Sequence, residues 1–313
     1  FEEMPLDDPE STVWLPASPG DEVSLRFWFK SPGGGGARLL VKDTDGWSRE
    51  LAFTELPWGQ SKWTEAHLSA TLPADGVAVA VEIETWHSKR WSPGLGLCSN
   101  HNVVRGLQIV GFPGHGIDFS CDASWNTIGG NRNIGSGPVG QGNLISANGG
   151  NGINNWENVP SHNTIAGNLI GTDVTGTAAR GNHTSGIWLC CGANSNVIGG
   201  DSPGEANVVS GNGENGVWLW KSTTGNTITG NFIGTDVEGR LALPNTYSGV
   251  GMSDGGTDNT IGGSAPNARN LISGNGAYGV FLGASASSNT VAGNLIGTDI
   301  EGHSAISNTH AGV

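Results

Sequence analysis

The sequence predicts an all-β chain in two parts: a small antiparallel β-sandwich over residues 1–93 and a solenoid of short parallel strands over residues 94–313, six to seven coils long. Three observations predict this. Glycine makes up 53 of 313 residues in a chain that is only 13% charged, and that much glycine destabilises helix interiors throughout. All 29 Asn lie from Asn100 onward, whereas seven of the twelve Trp precede residue 92, so composition changes near residue 95. Finally, Gly followed by Ile or Val recurs at Gly116, Gly152, Gly186, Gly216, Gly249, Gly279 and Gly312. The last four intervals are 30, 33, 30 and 33, which makes a 63-residue double repeat.

The first part alternates with period two. Val23, Leu25, Phe27 and Phe29 interleave with polar neighbours, as do Val77, Val79, Val81 and Ile83, a pattern for half-buried strands. Turn chemistry separates them at Ser31 to Gly36, at Asp45 and Gly46, and at Pro73 to Gly76. In the second part each unit reads Gly-Ile/Val, then Asn-Thr/Val-Ile/Val, then Asn with two apolar residues, which supplies three short strands per coil. Asn126, Asn163, Asn196, Asn226, Asn259 and Asn289 form one column, and Asn143, Asn168, Asn207, Asn231, Asn270 and Asn294 a second. Asn tolerates the left-handed backbone a sharp corner needs, and its amide can bond the equivalent Asn one coil along. Extra residues fall at 131–142, 201–206 and 264–269 in one class of coil and at 174–185, 237–248 and 300–311 in the other, so successive loops leave different corners and do not stack.

The text Asn163-Thr-Ile-Ala-Gly-Asn-Leu-Ile-Gly-Thr-Asp173, with Asn270-Leu-Ile-Ser-Gly-Asn275, resembles the right-handed parallel β-helix repeat proteins of the pectate-lyase-like superfamily. The resemblance covers residues 94–313. It implies a right-handed parallel β-helix, a secreted or extracellular location, and a polysaccharide as the substance handled, but fold does not fix function. Residues 63–83 resemble the end of a galactose-binding-like carbohydrate-binding jelly roll, with no ligand motif to transfer.

Net charge is 14 minus 28, or −14, and the basic residues are scattered singly, which argues against nucleic acid and anionic lipid as partners. The longest apolar runs fall far short of the roughly 20 residues of a membrane span, so no membrane insertion is predicted. Ending on Gly312 and Val313, the opening of another coil, the sequence predicts that further chain follows or that something covers that end.

Residues that recur every 63 positions read as scaffold. Asp173, Asp236 and Asp299 recur in Gly-Thr-Asp and read as turn caps; calcium is the alternative and has no other residue to support it, so no metal site or cofactor is predicted. Functional residues are sought where the repeat breaks. Alternation turns Asp118, Asn154, Trp188, Trp218, Gly251 and Phe281 outward on the first strand of successive coils, followed two residues on by Ser120, Trp156, Cys190, Trp220, Ser253 and Gly283. Trp156, Trp188, Trp218, Trp220 and Phe281 thus share one face, and an exposed aromatic area of that size marks an interaction site. Rows of Trp suit the apolar faces of sugar rings, with Asp118, Asn154, Glu157, Glu214, Lys221 and Asp254 near enough in sequence to meet the hydroxyls; packing of the first part or of another subunit on this face is the alternative. One extra residue between Gly152 and Asn163 predicts a bulge around Trp156 to Pro160 that re-aims Trp156 and Glu157, with a neutral insertion as the alternative.

Catalysis would need paired carboxylates, for which Asp118, Asp122 and Glu157 are the candidates. Gly114 to Ile117 resembles one short motif of polygalacturonases, but the rod lacks the accompanying Asn-Thr-Asp, Asp-Asp and Arg-Ile-Lys, and His115 reads as a turn residue. Cys98 and Cys121, about one coil apart, are placed to form a disulfide; Cys190 and Cys191 are adjacent and read as free thiols, with a vicinal disulfide as the alternative. Three functions remain open: a secreted carbohydrate-binding module, a polysaccharide lyase or glycoside hydrolase on the same face, and a surface adhesin or filament subunit.

Overall fold

A computed structural model describes the backbone of six strands before residue 86, and residues 94–313 other than 120, 136–138 and 157. It divides into two compact units, Phe1–His87 and a second made of Ser88–Gly135 and Val139–Val313.

The described strands of the first unit pair antiparallel. Strands Gly35–Asp43 and Ser48–Leu56 pair, Gly76–Thr85 lies on the other edge of Gly35–Asp43, and Leu15–Pro16 closes the row. Glu22–Phe29 and Thr64–Thr71 form a separate pair in unbroken register from Glu22 opposite Thr71 to Phe29 opposite Thr64. Strand reaches into two of the expected turns, taking up Gly35, Gly36 and Gly76.

The second unit is a parallel β-helix of seven coils. Three sheets of seven strands each take one strand from every coil. First-sheet strands are Leu95–Leu97, Ile117–Phe119, Ile153–Asn155, Ile187–Cys190, Val217–Trp220, Val250–Ser253 and Val280–Leu282, on coils 1 to 7 in order. Because strands are two to four residues long, each contributes one or two inward side chains, and the interior becomes stacked columns: Ile117, Ile153, Ile187, Val217 and Val250 from the first sheet, Ile128, Ile165, Ile198, Ile228 and Ile261 from the second, and Ile145, Ile170, Val209, Ile233 and Ile272 from the third, all buried. Full burial of one such side chain stabilises by about 1.5–3 kcal/mol. The recurring Gly before each first strand is a packing requirement: a Cβ on Gly152 would lie 2.6 Å from the Gly186 carbonyl oxygen of the next coil.

Both expected Asn columns exist as hydrogen-bonded ladders. Along the first, Nδ2 of each Asn donates to Oδ1 of the next, as from Asn196 to Asn226 (3.0 Å) and from Asn226 to Asn259 (2.9 Å). Asn102 extends this ladder by one coil. Along the second, Asn168 reaches Asn207 (3.0 Å) and Asn207 reaches Asn231 (2.9 Å). A third ladder, which the repeat analysis did not pick out, runs through Asn148, Asn182, Asn212, Asn245, Asn275 and Asn308. The column Asn residues do not themselves adopt the left-handed backbone expected of them. At the first column the left-handed residue precedes the Asn, namely His101, Trp125, His162, Ser195, Gly225, Asp258 and Ser288. The residue before turns the corner, which leaves the Asn side chain free to point along the axis and bond both neighbouring coils.

The Gly-Thr-Asp carboxylates cap turns as expected: Asp173 Oδ1 accepts from the amides of Thr177 and Ala178, and Asp236 Oδ1 from those of Arg240 and Leu241. Loops of one class, two coils apart, do touch. Val237 N donates to Gly176 O and Ile300 N to Gly239 O, both at 3.0 Å. Each of these loops is tall enough to bridge the coil between.

Candidate functional site

The first sheet is where coils stop resembling one another. Its register sets Asp118, Asn154, Trp188, Trp218, Gly251 and Phe281 side by side on consecutive coils, as the alternation predicts. The aromatic side chains do not lie in a uniform row. They form two groups.

In the first group Trp156 on coil 3 and Trp220 on coil 5 stack at 6.0 Å and 27°, while Trp188 on coil 4 meets Trp220 edge-on at 5.8 Å. Trp156 is 53% exposed. Cys190, fully buried and paired in register with Trp220, occupies the coil between the stacked rings. Trp220 Nε1 donates to Asp254 Oδ2, and Lys221 Nζ lies 6.0 Å from the Trp220 ring. The indole nitrogen of Trp188 is buried without a hydrogen-bond partner. In the second group Trp218 on coil 5 and Phe281 on coil 7 lie nearly parallel, 6.3 Å apart at 9°, with Tyr278 tilted against Phe281. Here Gly251 occupies the coil between, and a Cβ on it would sit 2.1 Å from Cζ3 of Trp218. The ring can lie across coil 6 only because that position has no side chain.

The extra residue of coil 3 acts through Asn155. Its backbone pairing with coil 4 ends at Asn154 opposite Trp188, and the Asn155 carboxamide takes over, accepting from Cys190 N (2.7 Å) and donating to Cys190 O (3.1 Å). The side chain substitutes for the missing strand backbone, and the chain is released outward at Trp156. This is a polar residue at an inward position that the sequence analysis passed over.

At the corner leaving the first sheet, Cys191, Lys221, Ser222 and Asp254 all adopt left-handed backbone, and Cys191, Gly192, Lys221 and Ser222 line an open depression. Cys190 and Cys191 are joined in a vicinal disulfide, which overturns the reading of them as free thiols; the bond links the left-handed corner residue Cys191 to Cys190, the strand residue in register with Trp220. Cys98 and Cys121 are also joined, with Cα atoms 4.9 Å apart.

The polar candidates divide. Asp254 and Lys221 are exposed beside Trp220. Asn154 is 3% exposed and both ends of its amide are engaged, with Asp118 Oδ1 (2.6 Å) and Asn151 Nδ2 (2.8 Å), so it belongs to the scaffold and not to the rim. Asp122 Oδ1 accepts from Val159 N at the corner. Glu157 lies outside the described residues. His115 Nδ1 accepts from Asn151 N (2.9 Å), which requires neutral imidazole; burial lowers its pKa against the opposing pull of Asp118. Trp125, which the sequence analysis did not single out, is 54% exposed and stacks on His162 at 4.1 Å and 13°. Its signal was its place in the left-handed column before the first Asn ladder. Among the described residues no three His, Cys, Asp or Glu side chains converge as a metal would need.

Compared with known proteins, the chain matches no family model, no curated protein and no solved structure.

Proposed function

We propose that the second unit is a carbohydrate-binding β-helix that holds a polysaccharide against the outer face of its first sheet. The observation that supports this best is the group of Trp156, Trp188 and Trp220 with Lys221 and Asp254 at its edge. Half-exposed indole rings on a rigid sheet offer flat apolar area to the C–H faces of a sugar, while an ammonium and a carboxylate beside them supply a donor and an acceptor for hydroxyls. The coil text supports placing this unit near the pectate-lyase-like superfamily, and residues 63–83 support a carbohydrate-binding relationship for the first unit. Two disulfides support a secreted, extracellular protein, because such bonds persist in oxidising compartments.

The test is affinity electrophoresis and pull-down on a panel of soluble and insoluble polysaccharides, with reducing-end and unsaturated-sugar assays on the same samples. Wild type should bind at least one glycan without releasing product, and Trp156→Ala should weaken that binding about tenfold, the ~1.4 kcal/mol expected of one stacked ring. Product release would transfer the face to a lyase or hydrolase, with Asp118, Asp122 and Glu157 the first residues to replace. Failure to bind any glycan would overturn the proposal.

A further inference from the structure

The two aromatic groups share one construction. In each, two rings on coils two apart meet over a small residue on the coil between: Trp156 and Trp220 over Cys190, and Trp218 and Phe281 over Gly251. The first bridge is centred on coil 4, at the outward position two residues further along the strand than the second, which is centred on coil 6. With coils about 4.8 Å apart and strand residues about 3.3 Å apart, two coils and two residues separate the centres by about 12 Å.

We propose that the two bridges are paired subsites for one ligand chain, and that this ligand is an uncharged polysaccharide crossing the first sheet obliquely along the rod. The proposal rests on the carbohydrate-binding reading above and specifies its ligand. Three features carry it. Each bridge offers a sugar only one or two partly exposed rings, so a single bridge makes a small contact and a weak one. Both bridges stand on consecutive strands of one hydrogen-bonded sheet, so their spacing is preset and the second contact of a long chain is intramolecular. Lys221 on coil 5 and Asp254 on coil 6 stand at the corner just past the first bridge, where they edge that subsite with a donor and an acceptor for hydroxyls. Charge selects the class: the chain carries −14, Asp118 and Asp254 are on this face, and Lys221 is the lysine of the rod, so a polyanion meets net repulsion and an uncharged chain does not.

The experiment is calorimetry on the full chain with length series of β-1,4-linked gluco-, xylo-, manno- and N-acetylglucosamino-oligosaccharides, from one to eight units, and an oligogalacturonate series as the charged arm. Affinity for at least one neutral series should rise at least about tenfold at the length that first reaches both bridges. Trp156→Ala and Phe281→Ala should each abolish that rise and leave the weak binding of short oligomers, and the double variant should lose both. Far-UV circular dichroism and thermal unfolding verify that the variants fold. Affinity that is flat with length, an unchanged Phe281→Ala, or tighter binding of the uronate series would overturn the paired-subsite inference and leave carbohydrate binding standing. Absence of binding by wild type to every series would overturn both.

Discussion

The Asn ladders and the outer face of the first sheet are built from the same coils and obey opposite rules. Down a ladder successive coils supply the same residue in the same hydrogen bond, and the amides are buried in all but the end coils. Down the first sheet's outer columns successive coils supply Asp118, Asn154, Trp188, Trp218, Gly251 and Phe281, and side chains from neighbouring coils fit one another individually. The difference separates what holds the rod together from what the rod can hold. Stability of a solenoid is close to a sum of coil terms and nearest-neighbour terms. A ladder residue should therefore affect stability wherever it lies, and an outer-face residue should affect ligand contact with little change in stability.

The largest expected effect is loss of one ladder residue. In Asn226→Ala the Nδ2 bonds to Asn259 Oδ1 and Ala193 O disappear, and so does the Oδ1 that accepts from Asn196 N and Nδ2. Four buried hydrogen bonds are lost, at about 1 kcal/mol each, and the buried Asn196 N is left without a partner, so the variant should lose about 4 kcal/mol in urea denaturation. Trp156→Ala, at an exposed position, should lose about 0.5 kcal/mol or less. A ladder variant that is no less stable than the Trp variant would erase the distinction.

Legibility in the sequence follows the same division. Gly-Ile/Val spacing and two Asn columns locate the coils to within a residue because repetition multiplies a weak local signal. The third ladder escaped because its members fall in two contexts, after Ser-Ala or Ser-Gly in Asn148, Asn212 and Asn275 and inside loops in Asn182, Asn245 and Asn308. Which side chains face outward on the first sheet was also legible, since alternation needs only the register. How they combine was not. Stacking of Trp218 on Phe281 depends on the vacancy at Gly251, and exposure of Trp156 on the Asn155 carboxamide replacing backbone, both of which are three-dimensional consequences of single residues without a repeat to reveal them.

The two disulfides sharpen the comparison. Cys98–Cys121 ties coil 1 to coil 2 across a sequence separation of 23, and constraint of the unfolded chain by a loop of that size contributes about 3 kcal/mol. Cys98→Ala/Cys121→Ala should lose about that much stability and retain glycan affinity. Cys190–Cys191 closes no loop, so Cys190→Ala/Cys191→Ala should cost less in stability, yet it alters the residue between Trp156 and Trp220 and should weaken binding. Peptide mapping under non-reducing conditions should recover all four cysteines as disulfides. Equal stability losses from the two double variants would contradict the loop argument.

Gly251→Ala isolates a single vacancy. Its methyl group would occupy the space of the Trp218 six-membered ring, a side chain that can swing away where backbone could not. The expected cost is about 1–2 kcal/mol, with a red-shifted Trp emission as the ring moves into water and with loss of the second bridge in glycan titrations. An unshifted spectrum and unchanged affinity would show that Trp218 does not depend on the glycine.

The smallest effect is a pH dependence carried by scaffold groups away from the aromatic face. His115 is held neutral by burial and by the Asn151 amide, so its folded pKa lies below its ordinary 6.5. The unfolded chain then binds more protons as pH falls below 6.5, and stability that is fully present above that value declines. Asp173 behaves at lower pH. Burial works to raise its pKa, but the Thr175 hydroxyl and the amides of Ala178, Thr177 and Thr175 outweigh it and bring the net value below the ordinary 3.8. Its contribution is present above 3.8 and lost as pH falls through the depressed folded value. Melting temperature measured from pH 8 to pH 3 should therefore fall in two stages in wild type. His115→Gln should flatten the stage between pH 7 and pH 5, and Asp173→Asn the stage below pH 4. Superimposable wild-type and His115→Gln curves between pH 7 and pH 5 would remove His115 from the account.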